Sequence, residues 1–530
     1  PEVTSYDIDN LSHFNVTQEQ VLRTLLSINV HKACGPDGLS GRILSECAQE
    51  ISVPLTKICQ LSLRTGQFPS VWRRSHVVPV HKKGSRQDPQ NYRPVSLLSI
   101  CSKVLERVVC DHLLLHVAPA LSVDQHGFLA GRSCETNLAC LMSQLWESVA
   151  GGHQTDVIYT DFSSAFTSVN HELLLYKLEK FYHLSGPALG WFRSYLSNRE
   201  QCVVVNGKKS DWTPVRSGVP EGSICGPILF VLFCNDASRC LSSTCLMYAD
   251  DMKLSRCIRC PDDAAILQHD LDKFCAWSSV WKLQLNPFKC KIITFTLRKK
   301  PFVLSYYVNN TALERASEMR DLGVVLDSKL TFGPHIDSVV GKANRALGMY
   351  LRTLSSCRHR GSRFSPSALI VGFNAHIRSI VEYGSVIWAG AAKTHLNRLD
   401  RIQHKFLIWL AVHSSKPCSS LDYDALLQHF DVQSFDRRLA LNDFNFIHNV
   451  FSGRINSPSI LGMFSLAVPS ARTRSRPVLH EPTARVDTIR NGMFCRLPRR
   501  VNELCARQPV ADVFGTKSVF KKQARMFVRS

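Results

Sequence analysis

The spacing of apolar and polar positions predicts helices and short strands in succession. Helical periodicity runs through 18–28 behind the cap-like Thr17, then through 43–63, 97–117, 135–149, 171–181, 226–233 and 262–283. Between these stand short β-prone runs at 72–80, 156–160, 201–205, 212–216, 245–254, 291–296 and 321–327, punctuated by turn signals such as Gly35-Pro36-Asp37-Gly38 and Asn206-Gly207. From about residue 337 onward the pattern is mostly helical, including 395–410 with Arg398, Arg401 and Lys405 on nearby turns. Trp277 and Trp281 lie one turn apart and read as core. Residues 453–530 are richer in Arg and Pro, and Arg472–Pro477 reads as extended or mobile.

Two of the β-prone runs carry acid where a strand alone has no use for it. Cys245-Leu-Met-Tyr-Ala-Asp-Asp-Met-Lys-Leu254 reads as a hairpin with Asp250 and Asp251 at or beside its turn, and 156–160 delivers Asp161 to a strand end. Adjacent carboxylates among apolar neighbours repel one another and lose hydration. A sheet that sets Asp161 beside Asp250 and Asp251 builds an oxygen-rich site suited to Mg²⁺, the arrangement used in two-metal phosphoryl transfer.

Basic residues follow the 72–80 run at Lys82 and Lys83, and Arg93 comes soon after. Such side chains suit a triphosphate, Arg by its planar fork and Lys as a point charge, and suit a solvated loop equally. The Gly-rich loop 217–223 opens the apolar helix 226–233, where backbone amides can approach phosphate or template.

At 530 residues the chain exceeds one ordinary core, and 45% hydrophobic with 20% charged residues fits a folded protein. Its 64 Lys plus Arg against 43 Asp plus Glu leave a net charge of +21, which points to a polyanionic partner. The 20 cysteines are spaced irregularly and read as reduced thiols. Cys257-x-x-Cys260 lacks a second pair at zinc spacing, and His171-Glu172 lacks the second histidine of a zinc-protease helix. No apolar run is long enough to span a bilayer, so no membrane partner is expected. The chain begins at Pro1, which leads us to expect a piece of a longer protein.

Taken in order, Gly35–Gly38, Asn91-Tyr-Arg-Pro-Val-Ser96, Gln125–Arg132, Asp161-Phe-Ser-Ser-Ala-Phe166, Gly218-Val-Pro-Glu-Gly-Ser223, Tyr248-Ala-Asp-Asp251, Leu285-Asn286 with Lys289, and Leu322-Gly-Val-Val-Leu-Asp327 resemble the reverse transcriptase of non-LTR retrotransposons of the LINE type, jockey-like in flavour. The resemblance implies an α+β right-hand polymerase fold. It divides the chain into a helical lead-in at 1–60, fingers at 61–155, a palm at 156–337, a helical thumb-like region at 338–450 and a basic C-terminal region at 451–530.

By the same resemblance Asp161, Asp250 and Asp251 would hold Mg²⁺, and Lys289 would protonate the leaving pyrophosphate. Lys82 or Lys83 with Arg93 would grip the triphosphate, and Phe162, Phe166 and Glu221 would face the nucleotide, Phe166 crowding a ribose 2′-hydroxyl. Gly218, Pro220, Gly222, Leu322 and Gly323 would meet primer or template. The implied partners are an RNA template, a DNA primer or nicked target DNA, and deoxynucleoside triphosphates, with a nuclear location; the nicking endonuclease would be a separate upstream domain.

Three positions depart from the family pattern, which has Lys at Ser164, Asp at Thr167 and Gln at Glu221. A carboxylate at 221 repels a triphosphate unless it is protonated or paired to a cation. Impaired catalysis in this copy is therefore expected, and a relic that binds nucleic acid without polymerising is the alternative. An intron-type maturase and reverse transcriptase and a basic structural RNA-binding protein are the other rivals.

Overall fold

Thr17 starts the first helix, Gln18–Leu26, by a reciprocal exchange: its hydroxyl accepts from the Gln20 amide while the Gln20 side chain accepts from the Thr17 amide. The 43–63 periodicity resolves into two helices, Gly41–Glu46 and Ala48–Thr65. Cys47, at φ −99° and ψ 28°, ends one and begins the other, a break that apolar spacing does not register. The computed structural model describes residues 5–358, 365–413, 418, 420–468, 477–484, 486–508 and 511–529. Most of the segment read as extended, Arg472–Pro477, lies outside the described residues.

Two sheets position the cleft. In the first, β1 (Arg74–His81) pairs antiparallel with β2 (Tyr92–Leu97) and parallel with β4 (Arg199–Val205); β4 in turn pairs with β5 (Lys208–Lys209) and β6 (Thr213–Val215). Asn206-Gly207 thus joins β4 to the two-residue β5, not to the 212–216 run, which returns to β4 further along.

The second sheet contains β3 (Gln154–Thr160), β7 (Thr244–Tyr248), β8 (Asp251–Ile258), β9 (Lys291–Phe295) and β12 (Glu314–Ala316), in the order β12-β9-β3-β8-β7. Two small hairpins stand beside it, β10 (Tyr307–Val308) with β11 (Thr311–Ala312), and β13 (Glu318–Asp321) with β14 (Val324–Asp327).

Side chains alternate across a strand, so this sheet serves two cores at once. Ile158 of β3 and Ile292 of β9 join a cluster built on the N-terminal helices and the apolar helix Cys225–Cys234. Val157, Ile293 and Phe295 face the other way, into a cluster with the helices after residue 333. Both faces of β3 are thereby covered, and even its polar residues Gln154, Thr155, Asp156 and Thr160 are buried. Trp277 and Trp281 are buried, as their spacing predicts. Among the described residues no helix is long and apolar enough to cross a membrane.

Candidate active site

Register brings the acids together. Thr160 pairs with Met252 and Tyr248 with Asp251, so Asp161, one step beyond β3, falls beside Asp251, and Ala249-Asp250 forms a two-residue turn. Ala249 sits at φ +57°, a left-handed conformation that costs a residue with a Cβ about 1–2 kcal/mol.

The fully buried Gln125 braces that turn. Its Oε1 accepts from the amides of Ala249 (3.2 Å) and Gly127 (2.8 Å). The His126 amide donates to the Met247 carbonyl at 2.8 Å, the Met247 amide to the Asp124 carbonyl at 2.9 Å, and Asn137 Nδ2 to the Met247 carbonyl at 3.1 Å. At Gly127 a Cβ would stand 2.5 Å from the Ala249 nitrogen, so only glycine permits this approach. Gln125 and Asn137 act on a hairpin over a hundred residues away; Gln125 opens one of the stretches that carry the resemblance, but nothing local names this partner.

The acids hold their negative charge reluctantly. Asp250 and Asp251 are exposed at their tips but stand in a cleft walled by protein, and exclusion of bulk water from most directions is the largest cause raising both carboxyls. Asp251 is pushed up to about 6, with Asp250, Asp321 and Asp161 adding to the effect of desolvation. The Asp161 Oδ2 atom is buried without a hydrogen bond, although Lys289 Nζ stands 3.3 Å away. Asp161 also accepts, through its carbonyl, from the Asn286 amide at 2.9 Å, which brings the Lys289 loop alongside.

An orphaned carboxylate oxygen and two strained neighbours are hard oxygen donors that suit a divalent cation. Among the described residues no three His, Cys, Asp or Glu side chains are close enough to hold a metal ion, so these acids adjoin without converging.

A cavity of about 190 Å³ opens beside them, lined by Asp161, Tyr248, Asp251, Lys289, Asp321 and Leu322 among others. Its floor is a buried ion pair of Lys253 with Asp321, to which the Tyr159 hydroxyl donates at 3.0 Å. Lys253 looks solvent-facing in the sequence, and its burial rests on a partner 68 residues away. Leu322, at φ +43°, and Gly323 form the turn after Asp321, and the Tyr383 hydroxyl donates to the Leu322 carbonyl at 2.8 Å.

Across the cleft, Lys82 and Lys83 are exposed in the loop after β1. Arg93 Nε donates to Glu221 Oε2 at 2.7 Å, and this hydrogen bond is the largest cause raising the Arg93 guanidinium above its ordinary value. The loop bearing Glu221 is stitched down: the Ser96 amide donates to the Glu221 carbonyl, the Gly218 amide to Val169 and the Val219 amide to Phe166. Gly222, at φ +115°, could not carry a Cβ, which would lie 2.4 Å from the Ser96 carbonyl oxygen. Pro220 accepts from the Ser223 hydroxyl at 2.8 Å, within the same loop.

Phe166 stacks on Phe230 at 4.5 Å and meets Phe128 edge-on at 6.2 Å. Phe162 is buried and packs against Phe274. Ser164 adopts φ +58°, and the Thr167 carbonyl accepts from the Ser217 hydroxyl at 3.0 Å.

Residues 80–326 match the family described as reverse transcriptase (RNA-dependent DNA polymerase). The chain is 29% identical over 403 residues to the probable RNA-directed DNA polymerase from transposon BS of Drosophila melanogaster, covering 73% of this chain and 44% of that protein. It is 27% identical over 397 residues to the probable RNA-directed DNA polymerase from transposon X-element of the same organism, covering 73% and 43%. Identity to the RNA-directed DNA polymerase from mobile element jockey, again of Drosophila melanogaster, is 28% over 407 residues, covering 74% and 43%. The chain therefore spans less than half the length of these relatives.

Proposed function

We propose that this chain, a reverse transcriptase of the non-LTR retrotransposon kind, extends a DNA primer on an RNA template: the primer 3′-oxygen attacks the α-phosphorus of a deoxynucleoside triphosphate and pyrophosphate leaves. The observation that carries this reading is the strand register that brings Asp161 beside the Ala249-Asp250 turn at the head of a cavity.

On this reading the sheet bearing the acids is the palm, at 156–337. The β1–β2 layer belongs to the fingers, at 61–155; the helices of 338–450 form the thumb, and 1–60 and 451–530 flank them. Asp161, Asp250 and Asp251 would hold Mg²⁺ once drawn together, and the ion would supply charge neutralisation and a lowered pKa at the primer hydroxyl. Lys289 Nζ delivers a proton to the departing pyrophosphate. Phe166, fixed by its stack on Phe230, crowds the position of a 2′-hydroxyl. Lys82, Lys83 and Arg93 take the triphosphate, and the Leu322-Gly323 turn seats the primer end. Template RNA and nicked chromosomal DNA are the macromolecular partners, met in the nucleus.

Primer extension on an RNA template with Mg²⁺ and deoxynucleotides, run beside the Asp250→Ala, Asp251→Ala double variant, tests this. Extension by the parent alone supports it; extension by both overturns the assignment of the acids.

A second reading, a weakened copy that binds without polymerising, is favoured by one contact. Glu221 holds Arg93 Nε, a donor that a triphosphate would compete for. If both parent and double variant fail to extend yet hold template-primer equally, this reading replaces the first.

A further inference from the structure

A second cavity, of about 320 Å³, lies among the C-terminal helices, away from the carboxylates. Three of the elements that wall it supply its cations. The π-helical turn Asn374–Arg378 contributes Asn374 and Arg378, the helix Phe435–Phe451 contributes Arg438 and Asn442, and the helix Lys517–Arg529 contributes Lys521 and Arg525. A π turn gives up good hydrogen-bond geometry and is frequent at functional sites.

The charges here are poorly balanced. Arg378 and Arg438 share one carboxylate, Glu382, which also accepts from Asn442 Nδ2 at 3.5 Å. Burial is the largest cause lowering the ionisation of Arg378, and the Arg438 guanidinium beside it adds to the effect. Lys521 and Arg525 form no ion pair among the described residues. Asp431 lines the cavity as the opposing carboxylate, so four cations face two acids. Like charges gathered in a concavity are stabilised by an anion.

We infer that this pocket holds a phosphate of a single-stranded nucleic acid, at a site separate from the polymerase cleft. The cavity exceeds what a free phosphate fills. The Asn374 amide offers a donor and an acceptor for sugar or base edges beside it, and Asn442, whose Nδ2 is held by Glu382 and Ser385, offers an acceptor. A concave hole admits a flipped or unstacked nucleotide of a flexible strand, whereas a stiff duplex would need an open groove. The pocket is also linked to the cleft: Glu382 immediately precedes Tyr383, whose hydroxyl holds the Leu322 carbonyl. The inference does not rest on catalysis.

Fluorescence anisotropy tests it on the full chain without nucleotide or divalent cation. The probes are a 12-nucleotide single-stranded RNA and a DNA of the same sequence. The variants are Lys521→Gln with Arg525→Gln, and separately Asn374→Asp, a near-isosteric change that sets a negative charge in the pocket without emptying it. Lys299→Gln with Lys300→Gln removes two charges from an exposed loop elsewhere as a control.

The expected result is a loss of about tenfold in affinity for both pocket variants. In the Lys521/Arg525 variant, the slope of log affinity against log salt is shallower by about 0.7, the share of one lost phosphate contact. Loss with RNA alone identifies an RNA strand, loss with DNA alone a DNA strand, and equal loss a backbone contact blind to the sugar; each upholds the phosphate site. Pocket variants that bind both probes no more weakly than the control overturn it. Because the probes carry no primer and the assay no nucleotide or divalent cation, a loss confined to the pocket variants stands whether or not the parent extends a primer, which separates this site from the failure of the polymerase reading.

Discussion

The two edges of the cleft treat charge in opposite ways. On the carboxylate edge, three acids adjoin beside a frame of buried hydrogen bonds from Gln125, His126 and Asn137, and apart from Lys289 at 3.3 Å from Asp161 the conflict is left unresolved. On the loop edge, Glu221 already has its cation in Arg93, and the pair is partly open to water. The first edge is rigid and electrostatically unsatisfied, which suits a site completed by something bound. The second is satisfied by itself, so a ligand there must displace an existing contact before it gains one.

The largest effect is expected at the unsatisfied edge. Asp250→Asn keeps size and turn geometry but removes a charge, and we expect primer extension to fall on the order of a thousandfold while template-primer affinity changes little. A fall confined to KM would mean that the acid serves binding, and would erase the contrast between the edges.

Next comes the frame. Gln125→Ala leaves the amides of Ala249 and Gly127 without their buried acceptor, at a cost of about 1–3 kcal/mol in urea unfolding. An unchanged midpoint would show that the turn holds itself.

A comparable effect depends on pH. His335 lies buried, its Nδ1 accepting from the Val325 amide, and burial depresses its imidazolium to about 4. The unfolded chain takes up that proton near 6.5, so stability is intact above this value and is lost as pH falls toward 4, by about 2 kcal/mol at pH 5. His126, depressed to about 3 by burial, acts with the same sign. His335→Asn should therefore lose about 2 kcal/mol less than the parent between pH 7 and 5. Parallel pH curves for the two would refute this.

The smallest expected change is a gain. Glu221→Gln frees Arg93, and because the ion pair is half exposed its release is worth at most about 1 kcal/mol, or about fivefold in KM for the incoming nucleotide. A weaker KM would mean that Glu221 helps the nucleotide, and the second edge would then resemble the first.

Much of the carboxylate edge is legible in the sequence because it is local. An apolar run ending in Asp161 and a hairpin broken at Ala249-Asp250-Asp251 announce their strands, and only the register between them waits for the sheet. Glu221 reads as an anomaly, but its remedy, Arg93, lies 128 positions away and follows no periodicity. Gln125, Asn137 and the Lys253–Asp321 pair are hidden for the same reason: burial of a polar residue is decided by its partner, and a lone sequence does not name partners. Strands of two or three residues, such as β5, β10 and β11, fall below the length at which alternation carries information.

The hydroxyl of Tyr383 reaches back to the Leu322 carbonyl from beyond the segment that carries the family match. The working unit is thus longer than the stretch that the family match spans. A chain shortened to residues 80–326 would bare Val324 and Leu326, both now fully covered, and leave the Leu322-Gly323 turn hinged on one side only. Anyone transplanting this domain should carry the helices through residue 388 with it, because the side chain that steadies the turn travels with them.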